Sequence, residues 1–322
     1  MTDVSVLIVT HNNAAQIGAC LDALARRTRL AHEVILVDNA STDATLAVVK
    51  PFAGIRPIAN AANVGFAAAI NQAGRLAQGR YLLLLNPDTV VHEGAVDRLA
   101  ACLDSRPAAG ICAPRVLAAD GRIRHNCFAF ETPWSMFWFG VGVGPLHRVR
   151  GLMLGRNRWD ITANALQEVE AVTGAAMLVR RELFERLSGL DARFFMYCED
   201  GDFCLRARRA GWQTLLVPEA VVTHGGGAST PQDAPLLNGM IGAHLLASRY
   251  RYTRKHWGRG AAWLLRWAYA VAGALFWLGG RLPLTGALGA KLKVYGRLLW
   301  ATPIPLAQQR SQADKTPSVP EG

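Results

Sequence analysis

The 322-residue sequence predicts an α/β fold, a mostly parallel sheet with helices on both faces, followed by a basic, apolar helical region. Three observations predict it. Over the first 125 residues short apolar runs alternate with segments of helix formers. The runs are β-branched or leucine-rich and bounded by Asn, Asp, Gly or Pro, as strands covered on both faces are. The charge is also segregated. Of the net +11, eleven Lys or Arg and no Asp or Glu fall between residues 234 and 313, so the rest of the chain is neutral.

Residues 4–9, 33–37, 54–59, 81–85 and 110–113 read as strands. Between them, 14–27, 43–50, 65–77 and 94–104 carry apolar residues at three- and four-residue spacing, and read as helices. The opening MTDVSVLIV has an acidic residue where a secretory leader carries positive charge, and is expected to be the first strand. Residues 132–154 hold Trp134, Phe137, Trp138 and Phe139 and then glycine-spaced VGVG and basic HRVR. That is poor helix and poor strand, so a lid, an acceptor-side loop or a satellite of the core is expected. A strand-like stretch at 169–173, a short helix stopped by Gly211 and a strand over 215–223 complete the body. The expected domains are 1–233, a helical membrane-associating region over 234–306, and a disordered tail over 307–322.

Composition removes several function classes. With 51% hydrophobic and 18% charged residues the chain is not intrinsically disordered. Six cysteines without a CxxC pair read as reduced thiols in a cytosolic compartment. A uniformly basic protein suggests nucleic acid, but a neutral body with a basic, apolar appendage points to an anionic membrane surface or a phosphate-bearing lipid instead.

Ligands of such sheets collect at the carboxyl ends of the strands. Four polar clusters fall there: Thr10-His11-Asn12-Asn13, Asp38-Asn39-Ala40-Ser41-Thr42-Asp43, Asn63-Val64-Gly65-Phe66 and Asn86-Pro87-Asp88. Any one alone is explained as a turn with a helix cap. Four at one sheet edge line a cleft with hydrogen-bonding groups and two carboxylates. G-x-G-x-x-G and a Walker loop are both absent, so a diphosphate bound there needs another neutraliser. Asp88 suggests a divalent cation, and Asp38 is placed to accept from a base or ribose. A fifth cluster, Phe194 to Phe203, opens a helix with Glu199, Asp200 and Asp202 in its first turn, where amide dipoles favour ionised carboxylates. Asp202 is equally well explained as helix charge compensation. Asp200 suits a general base for a hydroxyl. His224, before three glycines, is placed to complete a metal shell begun by a carboxylate.

VTHNN, VDNASTD, NVGFAAAINQA, LLLLNPD, VTGAAMLVRRELFERLSGLD, FFMYCEDGDFCLRARRAGW and the late His224-Gly-Gly-Gly, in this order, resemble glycosyltransferase family 2, the inverting enzymes of the GT-A fold, and especially its bacterial rhamnosyltransferase-like branch. The resemblance covers about residues 4–229. It implies a Rossmann-like mixed sheet and a catalytic base at Asp200, paired with Glu199. It also implies Mg2+ or Mn2+ held by Asp88, with His224 contacting metal or diphosphate. Nucleotide-sugar contacts are implied for Thr10, Asn12, Asp38, Asn63, Gly65, Phe66, Asn86 and Gly174. The family's metal motif is often Asp-x-Asp; here Asn86 fills the first position and brings no charge. The implied reaction moves a sugar, best matched by rhamnose from dTDP-rhamnose, to a lipid-linked or polysaccharide hydroxyl in cell-envelope glycan synthesis. A sugar nucleotidyltransferase would need a glycine- and arginine-rich loop where this chain has HNNAAQIG. A non-catalytic, membrane-bound nucleotide-binding module is the other alternative.

In the carboxyl-terminal region fourteen uncharged residues separate Arg266 from Arg281, fewer than the roughly 20 of a spanning helix. Trp257, Trp263, Trp267 and Trp277 with flanking basic residues suit a lipid–water interface. The expectation is a cytoplasmic protein, peripheral or re-entrant at the inner leaflet. The alternative is an amphipathic helix packed on another subunit.

Overall fold

A computed structural model describes residues 2–140, 159–225 and 239–279. In chain order the elements are β1 (Val4–Thr10), α1 (Ile17–Arg27), β2 (His32–Asp38), α2 (Thr45–Val49), β3 (Ile55–Ala59), α3 (Phe66–Leu76), β4 (Tyr81–Leu85), β5 (Thr89–Val91), α4 (Ala95–Ser105) and β6 (Ala109–Leu117). They continue with β7 (Ile123–Arg124), β8 (Cys127–Phe128), α5 (Pro133–Gly140), β9 (Gln167–Val169), β10 (Ala171–Val172), β11 (Ala176–Arg180), α6 (Arg181–Arg186), α7 (Glu199–Arg209), β12 (Gln213–His224) and α8 (Gly239–Gly279).

The main sheet runs β3-β2-β1-β4-β11-β6-β12-β5. Its first four strands are parallel, as βαβ alternation dictates, and β12 is parallel to β6. β11 lies antiparallel between β4 and β6, so the sheet is mixed. Its start, with Ala176 opposite Leu85, therefore falls at the edge where β1, β2 and β4 end.

Side-chain alternation splits the core in two. On β1, Val4, Val6 and Ile8 join α1 and α4 on one face, whereas Leu7 and Val9 join α3, α6 and α7 on the other. A third cluster packs Met136 of α5 and Phe194 against Leu245, Leu246, Tyr252, Leu265 and Tyr269 of α8. α8 is two helices meeting at Gly258, whose φ of +87° breaks the helical path.

The segment expected to be neither helix nor strand begins with a helix, α5. Its cause is a reciprocal cap: Thr132 N–H donates to Ser135 Oγ (2.9 Å), Ser135 N–H donates to Thr132 Oγ1 (3.1 Å), and Pro133 takes the first helical position. The 169–173 stretch is not one strand either, because β9 pairs with β12 and β10 with β8. The rest of the expected lid, the 280–306 half of the membrane region and the tail lie outside the described residues. Among the described residues no helix is long and apolar enough to cross a membrane.

Candidate functional site

The site begins where β1 and β2 end side by side. Thr10 is opposite Asp38 in the ladder and its Oγ1 donates to Asp38 Oδ1 (3.0 Å). Ser41 donates to the same carboxylate through its N–H (3.0 Å to Oδ2) and its hydroxyl. Asp38 is 2% exposed, and its oxygens fasten the 39–41 loop to β1. Asn12, with φ +58°, stitches the same loops: its N–H donates to Ser41 Oγ (2.9 Å) and its Oδ1 accepts from Thr42 N–H (2.8 Å).

The next turn carries this edge towards the acidic cluster. Asn63 Oδ1 accepts the N–H of Gly65 (3.0 Å), and Asn39 Nδ2 donates to the Gly65 carbonyl (3.3 Å). Gly65 has φ +86°, and a Cβ there would stand 2.6 Å from the Phe195 carbonyl oxygen, so no other residue fits. Phe66 N–H donates to that oxygen (2.8 Å).

Asp200 is half-buried and held by two backbone donors, Gly201 N–H on Oδ1 (2.7 Å) and Gly174 N–H on Oδ2 (3.2 Å). A Cβ on Gly174 would lie 3.5 Å from the Phe66 ring and 3.9 Å from Asp200 Cβ, so these three residues are neighbours. Burial pushes the Asp200 carboxyl up, and the two N–H groups pull it back. Glu199 is buried deeper, at 7% exposed, and its Oε2 has no hydrogen-bond partner among the described residues. Burial, and then the charge on Asp200, lift Glu199 well above the carboxylate range. Burial thus works against charge on both members of the pair, more strongly at Glu199 than at Asp200. At Glu199 the loss of water on burial opposes the helix dipole, which favours ionised carboxylates in a first turn.

On the other side of 174–175 lies the turn between β4 and β5. Asn86 N–H (2.9 Å) and Thr89 Oγ1 (3.3 Å) both donate to the Ala175 carbonyl. Pairing of β12 with β5 sets His224 opposite Thr89 and brings His224 Nε2 to 3.0 Å from Asp88 Oδ1 and 3.4 Å from Asn86 Nδ2. One ring nitrogen cannot donate to Asp88 and accept from Asn86 at once. The 3.0 Å separation of Asp88 Oδ1 and His224 Nε2 is also what two adjacent ligands need on an octahedral ion with bonds of about 2.1 Å. Among the described residues no group of three or more His, Cys, Asp or Glu is placed to hold a metal. The fit is to a cation with two protein ligands and the rest of its shell from substrate oxygens and water.

The family model described as "Glycosyl transferase family 2" matches residues 5–134, and "Glycosyl transferase family group 2" matches residues 81–307. The chain belongs to glycosyltransferase family 2. It is similar to the N-acetylglucosaminyl-diphospho-decaprenol L-rhamnosyltransferase of Mycobacterium tuberculosis, 30% identical over 294 residues, which are 84% of this chain and 92% of the relative. It is 26% identical to the rhamnosyltransferase WbbL of Escherichia coli over 69% of this chain and 83% of that one. Among solved structures it shares its fold with the mannosyltransferase PcManGT from Pyrobaculum calidifontis in complex with GDP-Man and Mn2+. That likeness has a TM-score of 0.53 and 19% identity, and covers 93% of this chain and 85% of that chain. The glycosyltransferase thus has a GT-A-like fold and is rhamnosyltransferase-like.

Three features of this glycosyltransferase site were not found from its sequence. Tyr197 and Cys198, just before the Glu199-Asp200 pair, both have positive φ (72° and 67°), a costly conformation for residues with a Cβ. Ala175 is the carbonyl that ties the Asp88 turn to the Asp200 side. Asp202 is met by side chains of α8, more than fifty residues away in sequence. A cavity of about 420 Å³ lined by Asn71, residues 187–193, Arg206 and Lys255 contains none of the predicted site residues. Its charges are already paired, Asp191 with both Arg193 (2.6 Å) and Lys255 (2.7 Å).

Proposed function

We propose that this glycosyltransferase moves rhamnose, with inversion, from dTDP-rhamnose to a hydroxyl of a lipid-linked acceptor in cell-envelope glycan synthesis. The observation that carries the reading is the arrangement about 174–175. Asp200 takes the N–H groups of Gly174 and Gly201, and the next residue, Ala175, takes the Asn86 N–H of the turn that carries Asp88 beside His224. The rhamnosyl donor and lipid-linked acceptor are suggested by the printed names of the Mycobacterium tuberculosis and Escherichia coli relatives.

In this reading Asp200 takes the proton of the acceptor hydroxyl as its oxygen bonds to the anomeric carbon. The bond from that carbon to the diphosphate breaks, and dTDP leaves with the electron pair. Glu199, whose burial opposes ionisation, lies beside the base. Asp88 and His224 would hold Mg2+ or Mn2+, with the Asn86 amide beside them; such an ion neutralises diphosphate charge. Thr10, Asn12, Asp38 and the 63–66 turn form the nucleotide side.

Purified protein given dTDP-rhamnose, Mn2+ and a polyprenyl-diphosphate N-acetylglucosamine acceptor is expected to release dTDP with matching loss of acceptor. Preference for another nucleotide sugar in a donor panel overturns the rhamnose assignment. Release of pyrophosphate from dTTP and rhamnose 1-phosphate, with no dTDP released from dTDP-rhamnose, identifies a nucleotidyltransferase.

The same reading puts the enzyme on the membrane surface. Past Gly258, Ala262, Leu265 and Tyr269 are buried on the body, while Trp263, Leu264, Trp267 and Val271 are between 54% and 64% exposed. Arg254, Arg259 and Arg266 are exposed around this face. An aromatic, basic-flanked stripe supports a helix lying in the interface of an anionic bilayer. Trp263→Ser with Trp267→Ser is expected to reduce co-flotation with phosphatidylglycerol-containing vesicles by roughly tenfold or more, with an unchanged melting temperature. If flotation persists but the oligomeric state changes, the stripe is a protein interface.

A further inference from the structure

The amino-terminal part of α8 meets the segment carrying Asp200 at every turn. The His244 ring stacks on Phe195 (centroids 4.5 Å apart, planes at 18°). Ser248 Oγ donates to the Met196 carbonyl (2.8 Å), and Arg251 donates to the Arg193 carbonyl (2.6 Å). Lys255 Nζ lies 2.7 Å from Asp191 Oδ2 and 2.6 Å from Asp202 Oδ1, and His256 Nε2 lies 2.7 Å from Asp202 Oδ1. Positions 244, 248, 251 and 255 recur at four, three and four residues, so a single stripe of the helix makes these contacts.

Asp202 is the deepest of the contacted groups. It is fully buried, and its other oxygen takes Arg206 Nε (2.8 Å). Burial alone would raise its carboxyl, but the bond from His256 and the charge of Arg206 outweigh that and hold it below the ordinary range. Helix charge compensation does not explain a carboxylate buried against Arg206, Lys255 and His256, two of them from another element. Asp202 N–H also donates to the Cys198 carbonyl (2.8 Å), closing the first turn of α7 over the two left-handed residues. Asp202 therefore links α8 to the strained turn that sets the direction of Asp200.

We propose that His256 and Lys255 are positioning residues for Asp200, acting through Asp202. The inference rests on the reading of Asp200 as the base. α8 holds the 194–202 segment in a geometry it would not keep alone, and the carboxylate stays aimed at the acceptor hydroxyl. Displacement of a reacting group by about 1 Å is enough to lower turnover roughly a hundredfold.

The test uses the full chain with His256→Ala, and with His256→Gln, which keeps a donor near the Nε2 position. For His256→Ala, kcat with dTDP-rhamnose is expected to fall roughly ten- to a hundredfold. KM for the donor and dTDP affinity by calorimetry should stay within about threefold. Amide exchange over 194–202 should quicken about tenfold or more while β1 and β4 keep their protection. His256→Gln should recover most of both effects, and Lys255→Met should reproduce part of them. Unchanged exchange over 194–202 overturns the proposal. So does unchanged kcat, and so does exchange that quickens throughout the sheet with a lower melting temperature, the mark of a merely structural contact. The exchange readout needs no substrate, so a wrong donor assignment shows separately, as a wild-type enzyme idle with dTDP-rhamnose.

Discussion

Asp200→Asn removes sugar transfer, lowering kcat by roughly a hundred- to ten-thousandfold while nucleoside-diphosphate affinity stays within about a factor of two. The direction follows from the two donors on this carboxylate. Gly174 and Gly201 fix both oxygens, so the side chain is aimed by backbone and does not hang from a mobile loop. Asparagine keeps the shape but cannot take a proton from a hydroxyl, and its NH2 faces one of the two N–H groups. Nucleotide affinity is spared because the β1 and β2 loops do not depend on Asp200. Turnover in the variant comparable to that of the wild type removes Asp200 as the base.

Glu199→Gln provides the contrast, and its signature is in stability. Glu199 has its carboxyl raised well above the ordinary 4.5, chiefly by burial, so the folded state keeps a proton that the unfolded chain releases. Wild-type stability therefore falls as pH climbs above that ordinary value towards the folded one. Glutamine resembles the neutral acid and has no proton to lose. Its melting temperature is expected to lose this pH-dependent fall, as thermal unfolding across pH 5 to 9 will show, and turnover is expected to survive. An identical slope in both proteins means that burial does not hold Glu199 above its ordinary value, and the upward shift is wrong.

Local chemistry made much of this legible in the sequence. The runs at 4–9 and 81–85 could only be buried strands, and the polar residues after them had to share an edge because parallel strands end on the same side. Asn86, Asp88 and His224 were picked out by residue type, and the ladder of β12 on β5 brings them together. What was not legible depends on partners distant in sequence or on burial. The antiparallel placement of β11 follows from pairing with β4 and β6, which the run AMLVR does not announce. The cap of α5 lacks the glutamate that usually reveals it, since Ser135 fills that role. The upward shift of Glu199 follows from its loss of water, and two partners of Asp202 come from α8. Residue type thus picked out the candidates, while the burial and support of the acidic pair needed the fold.

Asp88→Ala is expected to reduce Mn2+-dependent turnover by roughly a hundredfold or more, and His224→Ala by about tenfold, with Mn2+ affinity in the presence of dTDP falling in the same order. The ranking comes from charge. Asp88 is the only carboxylate among Asn86, Asp88 and His224, since an amide brings no charge and imidazole binds as a neutral ligand. Without Asp88 such a cation would lose the one carboxylate of the three; without His224 it would lose one neutral donor. Asn86→Asp tests the same argument from the other side. It adds a carboxylate beside Asp88 and His224, so Mn2+ should bind more tightly. Tighter product binding through the same ion should then slow release of dTDP. Paramagnetic titration of Mn2+ with and without dTDP measures each step. If Asp88→Ala binds Mn2+ and dTDP as the wild type does, the closeness of Asp88 and His224 is an ordinary hydrogen bond, and the enzyme must meet the diphosphate charge with other groups.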